Sequence, residues 1–160
     1  MTKIELCQQD KPSSINDDYI GSSQPEIVMY LKGHYPKLPA PTTQSWLNEF
    51  IALNGNNWRK ILVIFAKLAC DDDNWRDYLY SGQLLRENQC NFTDCLYPSG
   101  KVHLLCGKQN WERFGWHDDL NLPGQLWHDH QVLLPYPDYR QFPNQLITQV
   151  RQKMEPFITD

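Results

Sequence analysis

The chain has 160 residues, of which 41% are hydrophobic and 21% are charged, and its formal net charge is −4. This length suits one domain with a sizeable core. The acidic balance argues against sequence-independent nucleic-acid binding, which depends on a basic field. No run approaches the roughly 18 apolar residues of a membrane span, and residues 1–5 contain no apolar signal core. We therefore expect a cytoplasmic protein with reduced thiols and no membrane partner.

The first elements follow from composition along the chain. Residues 1–24 are mostly polar and predict an N-terminal arm, and residues 25–160 then form a single α/β domain. The apolar run at 26–31, bounded by proline and glycine, predicts a strand. Residues 32–41 contain three prolines, which exclude regular structure and predict a stiff loop.

Helices are predicted in the middle of the chain. Residues 46–53 carry apolar side chains at helical spacing, with Thr42 or Thr43 as the cap. The run at 58–70 is apolar on every face, so its periodicity does not distinguish a helix from a strand. Its length of about a dozen residues favours a buried helix. Asp73 or Asn74 caps a further short helix that begins near Trp75.

The second half of the chain alternates strands with helices. In order, we predict a strand at 102–106, a helix at 108–114, a polar aromatic loop at 116–130, a strand at 132–134, and a helix from Pro143 through Met154 that Pro156 terminates. Strands alternating with helices predict a three-layer α/β fold with a short, mostly parallel sheet flanked by helices.

A binding site is predicted where the strands end. In parallel sheets, ligands bind beyond the carboxyl ends of the strands. A helix that starts after Gly107 would offer free N–H groups to an anion, beside the ammonium of Lys108. We therefore predict a small anionic or nucleotide-like ligand held by His34, Tyr35, Lys108, Gln109, Tyr136, Asp138 and Arg140. The alternative is that these are ordinary loop residues and that Gly107 only permits a tight turn.

Two groups of potential metal ligands occur in the sequence. Histidine and aspartate recur at 117–119 and 128–130 and are suitable metal ligands, but a solvated loop is the favoured interpretation. Cys90 and Cys95 are separated by four residues, which is not the spacing of a zinc site. Dinucleotide, phosphate-loop, nucleophile-elbow and metalloprotease motifs are missing. We therefore predict neither a metal nor a cofactor, and the sequence leaves open whether the protein is an enzyme.

Part of the chain resembles a known superfamily. Residues 101–107 followed by a helix resemble the strand–glycine–helix unit of the uracil-DNA glycosylase superfamily. Residues 132–140 are similar to its last strand and minor-groove loop. The resemblance covers roughly residues 100–155 and implies a glycosylase-like α/β fold. The whole chain also resembles a small uncharacterised bacterial family.

The catalytic motifs of that superfamily are not matched. Its last-strand His-Pro-Ser motif is replaced by Tyr136, Pro137 and Asp138. The water-activating Asp or Asn of its first motif is replaced by residues 32–35. The resemblance therefore implies a scaffold and transfers no catalytic residue to this chain.

Three functional hypotheses remain. The first is a binding protein that uses the predicted site at the strand ends. The second is a hydrolase-type enzyme in which His34 acts as acid or base beside Asp138, with Lys108 or Arg140 holding an anion. The third is a protein-interaction module, since exposed aromatic residues anchor interfaces; its candidates are Trp111, Phe114, Trp116 and Trp127. The sequence identifies no protein partner.

Overall fold

The computed structural model describes residues 18–40, 45–116 and 124–159. Within these ranges the chain forms six strands: β1 (Tyr19–Gly21), β2 (Ile27–Tyr30), β3 (Gln89–Asn91), β4 (Val102–Cys106), β5 (Leu126–His128) and β6 (Gln131–Leu134). The same ranges contain six helices: α1 (Trp46–Asn54), α2 (Asn56–Ala69), α3 (Trp75–Tyr80), α4 (Gln83–Glu87), α5 (Lys108–Arg113) and α6 (Asn144–Ile158). None of the described helices has the length and apolarity that crossing a membrane requires.

All six strands join one mixed sheet in the order β1-β3-β2-β4-β6-β5. The central strands β3, β2, β4 and β6 are parallel to their neighbours, whereas β1 and β5 pair antiparallel at the two edges. The carboxyl ends of four adjacent strands therefore lie along one edge of the sheet. This is the edge at which the sequence predicts a ligand.

Both faces of the sheet are covered by apolar packing. On β2, Ile27 and Met29 belong to a large buried cluster that includes the inward sides of α1, α2 and α6. Val28 and Tyr30 belong to a second buried cluster that includes Trp111 on α5. Alternate residues of a strand point to opposite faces, so each face of β2 has its own apolar cover.

Several predicted elements are confirmed. The strands expected at 26–31, 102–106 and 132–134 correspond to β2, β4 and β6, and the chain has a mixed α/β fold. The ambiguous run at 58–70 is helical, as its length indicated. Helix α2 has 14 residues, and its side chains from Ile61 to Ala66 are all buried. The proposed caps Thr42 and Thr43 lie outside the described residues.

Other elements differ from the predictions. Residues 19–21, which were assigned to the polar arm, form the edge strand β1, and residues 1–17 of that arm lie outside the described residues. The loop expected at 116–130 contains the strand β5. Helix α6 does not stop before Pro156 but continues to Ile158. Proline removes one helical hydrogen bond, and the partly buried side chains beyond it, Phe157 and Ile158, pack against the large cluster.

The cysteines agree with the prediction in part. Cys70, Cys90 and Cys106 are free and buried, as expected for structural thiols in apolar surroundings. Cys95 is disulfide-bonded, so the expectation of reduced thiols is wrong for this residue.

Candidate functional site

The three loops of the predicted site begin at neighbouring strand ends. Strand β4 pairs with both β2 and β6, so the loops that follow all three strands leave the same edge of the sheet. The ring of Tyr136 lies beside Gly107, where an added Cβ would be 3.7 Å from its Cδ1 atom. The hydroxyl of Tyr136 accepts a hydrogen bond from Asn57 Nδ2 at 2.8 Å, which ties this loop to the start of α2.

The charged members of the predicted set do not form one cluster of interacting groups. The carboxylate of Asp138 is held within its own turn. It accepts the backbone N–H groups of Arg140 and Gln141, each at 2.9 Å, and the Gln141 side-chain amide at 2.9 Å. The side chains of His34, Lys108, Gln109 and Arg140 are exposed. Within the described ranges, no hydrogen bond or ion pair joins His34 to Asp138.

Helix α5 covers much of the carboxyl edge with hydrogen-bond donors. Asn110 Nδ2 donates to the carbonyl of Tyr30 at the end of β2, at 2.7 Å. Arg113 Nη2 donates to the carbonyl of Phe92, directly after β3, at 3.0 Å. Trp111 Nε1 reaches the carbonyls of both remaining parallel strands, Leu105 on β4 at 2.8 Å and Leu134 on β6 at 2.9 Å. One short helix therefore occupies carbonyl groups at the ends of four strands.

A buried polar pair lies between β2 and β4. Tyr30 Oη is 2.6 Å from His103 Nδ1 and accepts the backbone N–H of Tyr97 at 2.8 Å. Burial, together with the charge that the facing His130 carries when protonated, lowers the pKa of His103 to about 3. Burial also raises the pKa of Tyr30. Both groups are thus neutral at physiological pH, and the tautomer of His103 sets which of the two donates this hydrogen bond.

The sequence did not predict this pair, although it contains one signal of it. His103 is a polar residue within an otherwise apolar strand, and buried polar groups need hydrogen-bond partners. The sequence alone does not identify Tyr30 as that partner, because the contact depends on the pairing of β2 with β4. The neutral state and deep burial of the pair indicate a structural link between strands.

The histidines considered as metal ligands have packing roles. The ring of His128 stacks on Trp116 with centroids 3.9 Å apart. The ring of His130 packs on His103, with centroids 5.1 Å apart, and its Nδ1 lies 3.3 Å from Asp129 Oδ2. Residues 117–119 lie outside the described residues.

A cluster of potential metal ligands lies after α2. Ligand atoms of Cys70, Asp71 and Asp72 lie within 4.8 Å of one another. The thiol of Cys70 donates to Asp72 at 3.0 Å, and burial and this hydrogen bond raise the pKa of the thiol. Asp71 and Asp72 are exposed, and exposed acidic groups are common without a bound ion, so we assign no metal to this cluster.

A cavity of about 630 Å³ opens between β1, the loop after β2, the start of α1 and the turn from α3 to α4. Its aromatic lining residues are Tyr19, Tyr35, Trp46 and Tyr80. Its aliphatic lining residues are Ile20, Leu38, Leu47, Leu62, Leu79, Leu84 and Leu85. Two of the lining side chains are exposed to solvent although they are large and apolar: Leu38 is 48% exposed and Tyr80 is 50% exposed. Of the seven predicted site residues, Tyr35 alone lines this cavity, and sequence reasoning missed the rest of its wall.

The cavity carries one charged group among its described lining residues, the guanidinium of Arg86. Arg86 Nη1 donates to the carbonyl of Ser81 at 3.0 Å, across the turn between α3 and α4. Gly82, within this turn, has a φ of 87°, a left-handed conformation that glycine adopts without cost. A Cβ at Gly82 would lie 3.1 Å from Arg86 Nη1. Glycine at this position therefore permits the left-handed turn and leaves space for the guanidinium of Arg86.

These features describe a mixed α/β protein with an aromatic-lined cavity next to the carboxyl end of β2. The chain belongs to a family of unknown function, DUF6942, whose model matches residues 18–155. This match begins at the edge strand β1 and includes all the elements that form the cavity. Neither a curated protein nor a solved structure matches the chain.

Proposed function

We propose that this protein is a binding protein for a small organic ligand, which occupies the cavity beside β1 and the loop after β2. The observation that carries the proposal is the combination of a volume of about 630 Å³ with four aromatic and seven aliphatic lining side chains. Small-molecule sites have volumes of roughly 300–1,000 Å³ and combine mainly apolar walls with a few polar groups. The open apolar rim at Leu38 and Tyr80 also supports an apolar occupant.

The proposed position differs from the strand ends that the sequence suggested. The cavity begins at Tyr35, in the loop that leaves β2, and so flanks the predicted edge. At the edge itself, side chains of α5 already bond the strand carbonyls, which favours the flanking cavity as the place for a ligand. The three-layer arrangement, the glycosylase-like scaffold, the bacterial origin and the cytoplasmic location remain part of the proposal. The apolar clusters on the two faces of the sheet support the layered arrangement.

Two other hypotheses receive less support. A hydrolase that uses His34 and Asp138 needs the carboxylate to orient the imidazole, yet both oxygens of Asp138 accept hydrogen bonds within its own turn.

An interaction module, the other hypothesis, needs exposed aromatic anchors. Trp111 and Phe114 are each 2% exposed, and Trp127 is partly buried, stacked on Phe157 with centroids 6.0 Å apart. These rings contribute to packing.

The experiment tests the site with two substitutions, each of which reduces the volume of the cavity from a different wall. Asn48→Trp and Leu85→Trp each place an indole in the lining, and Asn48 is exposed, so that variant is expected to fold. The matched control is Leu53→Trp, at a 45% exposed position on α1 outside the cavity. Binding of naphthalene-2-carboxamide and naphthalene-2-carboxylate is measured by isothermal titration calorimetry.

We expect the wild-type protein and Leu53→Trp to bind at least one of these compounds with equal affinity. Both cavity variants should bind it at least several-fold more weakly, because an indole removes volume that the ligand needs. Undiminished binding by both Asn48→Trp and Leu85→Trp would contradict the proposed site. Failure of these two compounds, and also of adenosine and adenosine monophosphate, to bind the wild-type protein would contradict the proposed function.

A further inference from the structure

We infer that the cavity selects aromatic organic anions, with Arg86 binding the anionic group and the aromatic wall holding a flat apolar body. This inference rests on the proposed function, since it specifies the ligand class of the same cavity. It concerns charge selection, which an apolar cavity alone does not provide.

The charge of the lining supports this ligand class. Among the described lining residues, Arg86 carries the one formal charge, and no carboxylate opposes it. A guanidinium has five N–H donors in a planar fork that matches carboxylate and phosphate oxygens. The structure uses one Arg86 nitrogen, Nη1, for the Ser81 carbonyl. Further donors remain for a ligand, and hydrogen bonds between charged groups are stronger than those between neutral ones.

The position of the guanidinium also supports selection. The hydrogen bond to the Ser81 carbonyl restrains Arg86 at the turn from α3 to α4, and both residues line the cavity. A restrained side chain loses less conformational entropy when a ligand binds. Gly82 permits this placement, because a side chain there would meet Arg86 Nη1 at 3.1 Å.

The aromatic wall supports a flat ligand body. Three of the aromatic lining residues come from different elements: Tyr19 lies on β1, Tyr35 on the loop after β2, and Trp46 at the start of α1. The Trp46 ring is itself fixed by stacking on Phe50, with centroids 5.0 Å apart and planes 18° apart. Rigid rings with few rotatable bonds provide contact area at a low entropic cost.

The test compares acids with their neutral partners of similar shape. Two pairs are used, naphthalene-2-carboxylate with naphthalene-2-carboxamide, and adenosine monophosphate with adenosine, so that carboxylate and phosphate ligands are distinguished. The variants are Arg86→Gln, which removes the charge, and Gly82→Ala, which keeps Arg86 but disturbs its position. Arg76→Gln is the matched control for net charge, since Arg76 lies over the Trp75 ring outside the cavity.

We expect the wild-type protein and Arg76→Gln to bind the acid of at least one pair about tenfold more tightly than its neutral partner. Arg86→Gln should bind both members of that pair equally, with the affinity for the neutral compound unchanged. Gly82→Ala should give an intermediate ratio.

The outcomes separate this inference from the proposed function. If the neutral compounds bind as well as the acids, or if Arg86→Gln keeps the preference for the acid, charge selection by Arg86 is wrong while the cavity remains a binding site. If no compound of either pair binds the wild-type protein, the proposed function is wrong and this inference fails with it.

Discussion

The buried imidazole of His103 should make the stability of the protein depend on pH in a defined window. Unfolding restores the imidazole to its ordinary pKa of 6.5, whereas in the folded protein the pKa is about 3. Above pH 6.5 the imidazole is neutral in both states and has no effect. As the pH falls below 6.5, the unfolded chain binds a proton that the folded protein excludes, so the free energy of unfolding decreases. This loss is complete near pH 3.

The expected magnitude follows from the same two pKa values. One pKa unit corresponds to about 1.4 kcal/mol, so the full loss approaches roughly 5 kcal/mol as an upper bound. Carboxylates titrate over the lower part of that range. The useful comparison is therefore between pH 7.5 and pH 5.0, where protonation of this one unfolded imidazole is worth about 2 kcal/mol.

The substitution His103→Gln isolates this effect. Glutamine does not titrate, and its side-chain oxygen offers an acceptor for the Tyr30 hydroxyl. The variant should be less stable at pH 7.5 because of altered packing, but its free energy of unfolding should fall by about 2 kcal/mol less than that of the wild type between pH 7.5 and pH 5.0. Urea unfolding followed by tryptophan fluorescence measures both values.

His34→Gln is the matched control, because His34 is exposed and its substitution leaves the buried imidazole in place. This control should retain the pH dependence of the wild type. Equal losses of stability in the wild type and in His103→Gln would refute the argument that the folded protein excludes a proton from His103.

Two further substitutions test the packing around the sheet. Trp111→Phe keeps most of the ring but removes the N–H donor from two strand carbonyls, so it should lower the free energy of unfolding by about 1–3 kcal/mol, as measured with urea. The control Trp75→Phe, at a partly buried position, should lower the free energy of unfolding by less. Equal losses in the two variants would contradict a role for the donor. Gly100→Ala should lower Tm and cost about 1–3 kcal/mol, since the new methyl group would lie 2.8 Å from Val28 Cγ2 and 2.9 Å from His103 Cε1. An unchanged Tm would show that these side chains move aside freely.

The parts of the fold that the sequence predicted are those with strong local patterns. The strands β2, β4 and β6 are mostly apolar, as expected for strands buried on both faces. Helix α2 was identified by its length alone. These elements contain most of the buried surface in the middle of the sheet, so the α/β class followed from them.

The short strands without an apolar pattern depend on contacts between distant parts of the chain. Strand β3 reads Gln89-Cys90-Asn91, which is not an apolar pattern, yet both polar side chains are buried because they bond one another and the Ser22 carbonyl. Strand β1 is formed by pairing with β3 and has no signal of its own. Short edge strands of this kind are defined by their partners.

The strand order and the cavity were both beyond the sequence. The predicted site required the three strands to be neighbours, which the sequence left open, and β2, β4 and β6 are neighbours in the structure. The cavity is lined by segments from residue 19 to residue 86, and their convergence depends on the position of β1. The position of Arg86 depends on a single left-handed glycine, Gly82, which no motif marks.

Helix α5 has only six residues, and a helix of that length does not persist on its own. Its hydrogen bonds to the Tyr30, Leu105 and Leu134 carbonyls connect it to three neighbouring strands, β2, β4 and β6. Local opening of α5 would expose carbonyl groups on several strands at once, so the helix and the central strands should open and close as one cooperative unit. The least flexible part of the protein is therefore expected at the carboxyl ends of the central strands.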